Sequence, residues 1–300
     1  MQLAHQAMTT GTILTKRHIY YQHQELFETQ RIVDELVDDL AYTIGADRDN
    51  LNITASSKGS ISGCMSIYLH SGEVVDASET ELGVTVPLTR SISRIEARHA
   101  RWLLVVEKDA VFRSLVAVRF WETSLAGRGI LVTARGYPDL MTRSFLAQIQ
   151  VDCPQLPMLV LSDFDPDGLN IFSCYRYGTK NFSHESSNLK VNFGWLGIQS
   201  GQLGSLDTGS RAVAFAKTKT QMLSDYCLLN LTNRDRLCAT RMLCKGFQGE
   251  DIDVEHRLLR RELQIMLVLG TKAEIQSLDD NGDITSWLDA ALQKILDITH

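Results

Sequence analysis

Three short unbroken apolar runs punctuate the middle of the chain: WLLVV at 102–106, GILVT at 129–133 and PMLVL at 157–161. Each leads into a stretch with helical spacing: DAVFRSLVAVRFW, ARGYPDLMTRSFLAQIQ and SDFDPDGLNIFSCYRYG. A strand buried on both faces reads as a continuous apolar run, and strands alternating with helices predict βαβ units around a parallel sheet. In such sheets the functional crevice lies at the carboxyl ends of the strands. Nearer the start, ELFETQRIVDELVDDLAYTIG places apolar residues at 26, 27, 32, 33, 36, 37 and 40, a helical spacing that Gly45 stops. LNITASSKGSISG follows, with short alternating stretches that predict a β-hairpin with Lys58 near its tip. Residues 201–300 are more polar and read as mostly helical. Within them DVEHRLLRRELQIMLVLGTKAEIQSL predicts a long amphipathic helix broken or capped near Gly270.

A helix followed by a basic-tipped hairpin is the pattern of a winged-helix DNA-binding unit; a surface hairpin with one solvated lysine is the plainer alternative. TRSISRIEARHAR carries Arg90, Arg94, Arg98 and Arg101, which a helix would align on one face, either as a DNA-facing stripe or as a solvated face beside Glu96. Three hundred residues are too many for one ordinary domain, so two are expected, with a division at 88/89. The apolar fraction of 44% suffices for real cores, and no apolar run reaches membrane-spanning length. The six cysteines form no CxxC pair, which reads as reduced, mostly buried thiols, not a zinc site or disulfide frame. A net charge of −6 makes a globally basic nucleic-acid binder unlike this chain, but a backbone needs only a basic patch.

Candidate chemistry concentrates at the strand ends. Glu107 follows the first apolar run, and Asp163 and Asp165 follow the third. Three carboxylates in one small volume repel unless a cation neutralises them. Oxygen-only ligands with no nearby His or Cys suit Mg²⁺. Residues two apart in an extended segment point the same way, so Asp163 and Asp165 can face one ion. The competing reading is helix capping, most plausible for Asp165, which precedes Pro166. A phosphohydrolase with Asp163 as nucleophile is a second alternative, but no later Lys and acidic pair completes such a site. The other conspicuous stretch, TKRHIYYQHQELF, sets Tyr20 and Tyr21 after a basic cluster. It is either a core aromatic pair or a phosphate-binding patch presenting a tyrosine oxygen.

Glu after a strand followed by Asp-x-Asp after a later strand resembles the Toprim domain of topoisomerases and primases. KRHIYY, VVEKDAVF, TARGYPDLMTRSFL, LSDFDPDGLNI, GWLGI, LTNRDR and KAEI, in that order, resemble the A subunit of DNA topoisomerase VI. They resemble still more its eukaryotic relative, the transesterase that makes meiotic DNA double-strand breaks. The matches run from about residue 15 to about residue 275. The resemblance implies an α/β (α+β overall) protein: a partial winged-helix unit at 1–88, then a Toprim-type parallel-sheet domain with a helical C-terminal elaboration at 89–300. It implies Tyr21 as the nucleophile that leaves a 5′-phosphotyrosyl link, with Arg17 stabilising phosphate charge. Glu107, Asp163 and Asp165 would then hold Mg²⁺, and Lys58 and Arg143 would contact DNA. A homodimer that shares its sites between chains, a topoisomerase VI B-like partner, other break-forming accessory proteins and a nuclear location are implied in the same way. An enzyme of the type IIB, ATP-hydrolysing topoisomerase class is implied, although the chain has no GxxxxGK[ST] loop of its own. A non-catalytic DNA-binding or scaffold relative is the remaining alternative. Two departures stand out: His18 occupies the family's acidic position, and only twenty residues precede Tyr21, which is why the winged-helix unit is expected to be partial.

Overall fold

The computed structural model describes residues 1–12, 14–45, 51–54, 58–80, 82–178, 191–202, 228–245, 253–276, 278 and 284–298. The chain divides into two compact units, Met1–Lys58 and Gly59–His300.

The first unit is helical. Helix α1 (Gln2–Thr10) leads to a short strand β1 (Leu14–Thr15), then α2 (Lys16–Gln22), α3 (Gln24–Phe27), α4 (Gln30–Ile44) and strand β2 (Ile53–Thr54). The helical stretch expected from residue 26 to Gly45 is broken once. Glu28 takes a φ of 40° between α3 and α4, and Gly45 closes α4 at φ 69°. Ala4, Ile19, Val33, Val37, Ala41, Leu51 and Ile53 form a small core of its own. Lys16 is buried against this core, where Asp34 and Asp38 pair with its ammonium at 3.4 and 3.3 Å.

The second unit carries a six-stranded sheet. Its strands are β3 (Ser60–Gly63), β6 (Val84–Thr85), β8 (Trp102–Val106), β9 (Gly129–Thr133), β10 (Met158–Leu161) and β11 (Phe193–Leu196), in the order β11-β10-β8-β9-β3-β6. The four strands from β11 to β9 are parallel; β3 pairs antiparallel with β9, and β6 antiparallel with β3. Every residue of β8, β9 and β10 is buried, which is why each reads as an unbroken apolar run. Strands β4 (Ser66–Leu69), β5 (Val74–Asp76) and β7 (Ile92–Glu96) form a separate three-stranded antiparallel sheet. Helices α5 (Asp109–Ala117), α6 (Phe120–Thr123), α7 (Leu140–Asp152) and α8 (Pro166–Tyr177) follow the parallel strands. The C-terminal part consists of strand β12 (Leu228–Asn230), α9 (Asn233–Lys245), α10 (Val254–Leu269), β13 (Thr271–Ala273) and a last helix at Ile284–Ile298. The long helix ends as expected at Gly270, φ 70°, and the chain then extends as β13 instead of resuming a helix.

Three expectations are corrected here. Residues 51–63 do not form one hairpin: Ile53–Thr54 pairs in parallel with Leu14–Thr15, whereas Ser60–Gly63 pairs with Gly129–Thr133. The two arms serve different sheets, so Lys58 stands in the connection between units and not at a wing tip; residues 55–57 lie outside the described residues. For the same reason residues 59–88 join the second unit, and the units divide at 58/59 and not at the expected 88/89. The arginine stripe does not form, because Ile92 and Ile95 are buried in a strand paired with β4. Arg94 stacks on Tyr68, its guanidinium carbon 4.1 Å from the ring centre, and Arg98 pairs with Asp76 at 2.7 Å.

Candidate active site

Strands β8 and β10 are neighbours in register, Val106 opposite Leu161, so the residues that leave their carboxyl ends meet. The Glu107 N–H donates to the Leu161 carbonyl at 3.0 Å, and the Asp163 N–H donates to Glu107 Oε2 at 3.1 Å. Asp163 has both carboxylate oxygens engaged. Its Oδ1 accepts from the Ile275 N–H at 2.9 Å, and its Oδ2 pairs with Lys108 Nζ at 2.9 Å. The same ammonium reaches Glu274 Oε2 at 2.9 Å. Ile275 and Glu274 arrive because Ala273 and Phe164 exchange backbone hydrogen bonds of 2.9 and 3.0 Å, which lays the end of β13 against the segment that carries Asp163.

Asp165 does what its place before Pro166 suggests: its Oδ1 accepts from the Gly168 N–H at 2.7 Å and caps α8. It also faces the other acids. Burial, then the charge of Asp163, holds its pKa above the ordinary carboxylate value. Glu107 responds more strongly. Burial first and the neighbouring Asp163 carboxylate second push its pKa up to about 8. Burial works against the Lys108 ammonium, but Asp163 and Glu274 outweigh it and keep its pKa above the ordinary lysine value.

The donors are all oxygens, they repel one another, and one already holds a cationic side chain; that chemistry fits a divalent cation. Among the described residues, however, no three such side chains form a ready-made cage. The cavity between Glu107, Lys108, Ser162, Asp163 and Ile275 measures about 10 Å³, roughly the room of a single water. Lys108 and Glu274 were not singled out as site residues from the sequence. Lys108 lies within VVEKDAVF and Glu274 within KAEI, but nothing in the pattern says that the two meet across 166 residues.

In the first unit, Thr15 caps α2 by accepting from the His18 N–H at 3.1 Å. The helix separates the two tyrosines by environment. Tyr20 packs on the small core and its hydroxyl donates to the Glu28 carbonyl at 3.4 Å, whereas Tyr21 is 61% exposed. Arg17, one turn before Tyr21, is exposed, and among the described residues its side chain makes no hydrogen bond or ion pair. Lys58 is exposed too.

Arg143 is not offered to DNA in this structure. It lies in α7 with 5% of its surface exposed, its Nε has no hydrogen-bond partner, and burial holds its pKa below the ordinary guanidinium value. It lies among the buried residues of α7, with Met141, Thr142, Phe145, Leu146 and Ile149, whereas the family resemblance implied a DNA contact.

A parallel sheet whose adjacent strand ends gather a glutamate and an Asp-x-Asp pair defines a Toprim-type α/β protein, here preceded by a small helical unit that exposes a tyrosine. The Toprim-domain family of Spo11 and the A subunit of topoisomerase 6 matches residues 102–286, and the Type IIB DNA topoisomerase family matches residues 1–53. The chain belongs to the family of Spo11 and the A subunit of topoisomerase 6. It is 36% identical over 295 residues to meiotic recombination protein rec12 of Schizosaccharomyces pombe, covering 97% of this chain and 74% of that one. It is 32% identical over 285 residues to the A subunit of DNA topoisomerase 6 of Arabidopsis thaliana, covering 94% and 61%. To meiotic recombination protein SPO11 of Homo sapiens it is 29% identical over 279 residues, covering 93% and 65%. The chain thus spans between 61% and 74% of the length of these three relatives.

Proposed function

We propose that the protein is a Mg²⁺-dependent, topoisomerase-like DNA transesterase that makes meiotic double-strand breaks. The observation that carries this reading is the division of labour between Tyr20 and Tyr21. One is packed; the other is exposed one helical turn after Arg17, which has no ion-pair partner among the described residues. The family and the names of the relatives supply the substrate and the biological setting.

In the proposed reaction the Tyr21 phenolic oxygen attacks a DNA phosphorus. A phosphorus–oxygen bond to tyrosine forms, the bond to the 3′-oxygen breaks, and the phenolic proton is accounted for by the departing 3′-hydroxyl. A neutral tyrosine hydroxyl is a weak nucleophile, so charge stabilisation has to lower the barrier. Arg17 would hold the phosphate oxygens as negative charge builds. Mg²⁺ bound at Glu107, Asp163 and Asp165 would supply Lewis-acid stabilisation of the phosphate or leaving oxygen. His18 stands in the place of the family's acid on the same helix. Lys58, exposed at the end of the first unit, would meet the DNA backbone. The type IIB assignment, a homodimer, a B-like partner, further accessory proteins and a nuclear location complete the proposal. No helix among the described residues is long and apolar enough to cross a membrane.

Asp163 is poorly placed to be a phosphohydrolase nucleophile, since a backbone N–H and an ammonium already hold its two oxygens. Tyr21→Phe removes only the attacking oxygen. It is expected to abolish covalent protein–DNA complexes in a system where the wild type cuts, with the helix and DNA binding retained; complexes that persist in Tyr21→Phe and disappear in Tyr20→Phe would move the role to Tyr20.

A further inference from the structure

The acid cluster contains its own cation. Asp163 is 5% exposed, and its Oδ2 is occupied by Lys108 Nζ at 2.9 Å while the Ile275 N–H holds Oδ1. A metal ion that takes Asp163 Oδ2 therefore meets the Lys108 ammonium at the same oxygen; the two cations repel at that distance, and the ion binds best when the ammonium leaves. The cavity of about 10 Å³ makes the same point, because a hydrated Mg²⁺ needs more room than one water. Lys108 has somewhere to go. Its second partner, Glu274, carries a side chain that is 41% exposed, against 7% for that of Asp163. Release from Asp163 with retention by Glu274 carries the ammonium outward, from the floor of the crevice toward solvent, where a DNA phosphate would arrive.

We propose that Lys108 is the resident counter-ion of this site: it neutralises Asp163 when no divalent cation is bound, yields that oxygen to the cation, and is then kept by Glu274 in reach of the phosphate. Lys108 is thereby a phosphate-contacting residue of the loaded site, and Glu274 a positioning residue that acts through it. The inference rests on the proposed metal role of Glu107, Asp163 and Asp165. It adds a reason why the acids stay together without metal: their repulsion is answered by a lysine built into the residue after Glu107.

The test is calorimetric titration of Mg²⁺ into the full chain and its variants, with no DNA present. Lys108→Met removes the competitor and is expected to bind Mg²⁺ about tenfold more tightly, the scale of one charge-assisted hydrogen bond. Glu274→Gln removes the alternative resting place, so displacement becomes harder and Mg²⁺ binding weakens several-fold. Opposite signs distinguish displacement from simple structural damage, which would weaken binding in both. Glu107→Gln is the control for the underlying reading. If it binds Mg²⁺ like the wild type, the metal site itself is wrong. If it weakens binding while Lys108→Met leaves affinity unchanged or lower, only the counter-ion role is overturned. Should Lys108→Met fail to fold, unaltered Mg²⁺ affinity in Glu274→Gln overturns the role by itself. A second measurement follows the phosphate contact. In a Tyr21→Phe background, Lys108→Met should reduce the slope of log K against log salt for DNA binding by about 1 with Mg²⁺ present and leave it unchanged without Mg²⁺. An unchanged slope under both conditions overturns the phosphate contact.

Discussion

Glu107 stands in the folded protein with its pKa near 8, because burial and the adjacent Asp163 carboxylate both penalise its charged form. The sign of the consequence follows from proton counting. Between its ordinary carboxylate value and about 8, the folded state holds a proton that the unfolded state has lost, so folding stability falls as pH rises through that window. The contribution is complete below the ordinary value and gone above about 8. In chelator, unfolding measured by urea from pH 5 upward is expected to show stability falling with a slope that approaches about 1.4 kcal/mol per pH unit. Glu107→Gln should flatten that slope, since its amide cannot titrate. A wild-type profile that rises over the same window would contradict the assignment of a buried, proton-holding Glu107. Tyr20 and Tyr21 make the complementary point about single residues: two identical side chains, adjacent in sequence, differ in what they can do because a helix turns one toward a core and the other away.

At the scale of elements, the start of α8 joins capping to site building. Asp165 caps the helix, Pro166 occupies its first turn, and Gly168 lets that turn lie directly on the backbone of Asp163. A Cβ at Gly168 would stand 2.5 Å from the Asp163 carbonyl oxygen and 3.0 Å from its nitrogen, so neither neighbour is a flexible side-chain end. Gly168→Ala is therefore expected to cost about 1–3 kcal/mol by overpacking, read as a lower urea midpoint, and to displace Asp163 from Glu107. A midpoint equal to the wild type's would show that α8 can shift without strain. The antiparallel exchange between Phe164 and Ala273 works the same way from the other side, since it is what brings Glu274 and Ile275 to Asp163. Strand β13 is only three residues long, and its position matters more than its length.

For the whole molecule, the proposed function has one tyrosine cleave one strand, so a double-strand break would call for two chains. Under the proposed function the tyrosine of one chain works with the acids of its partner. Consider a mixed dimer of one Tyr21→Phe chain and one Glu107→Gln chain, isolated through two different tags. Sites built within single chains would each carry one defect and cut nothing. Sites shared between chains would leave one intact combination, and the expected outcome is covalent nicked product from the mixed dimer, with either mutant inactive alone. Wild-type cleavage without that nick, assayed with whatever partners cutting requires, would rule sharing out.

What the sequence determined by itself was the set of strands buried on both faces and the acids placed at their ends. WLLVV, GILVT and PMLVL pointed to buried strands, because nearly unbroken apolar runs leave no face for water, and Glu107, Asp163 and Asp165 follow them by covalent connection alone. The caps at Asp165 and Gly270 were legible too, since Pro and Gly restrict the backbone locally. Tertiary structure decided everything that depends on partners distant in the chain. It sent residues 60–63 into a sheet with 129–133 instead of back on 53–54, because backbone groups pair with whichever strand the packed core presents. It made Ile92–Glu96 a strand and dispersed the arginines, buried Arg143, and brought Lys108 to Glu274. Local spacing cannot specify these outcomes: burial and ion pairing depend on distance in space, and only the fold makes residues far apart in the chain into neighbours.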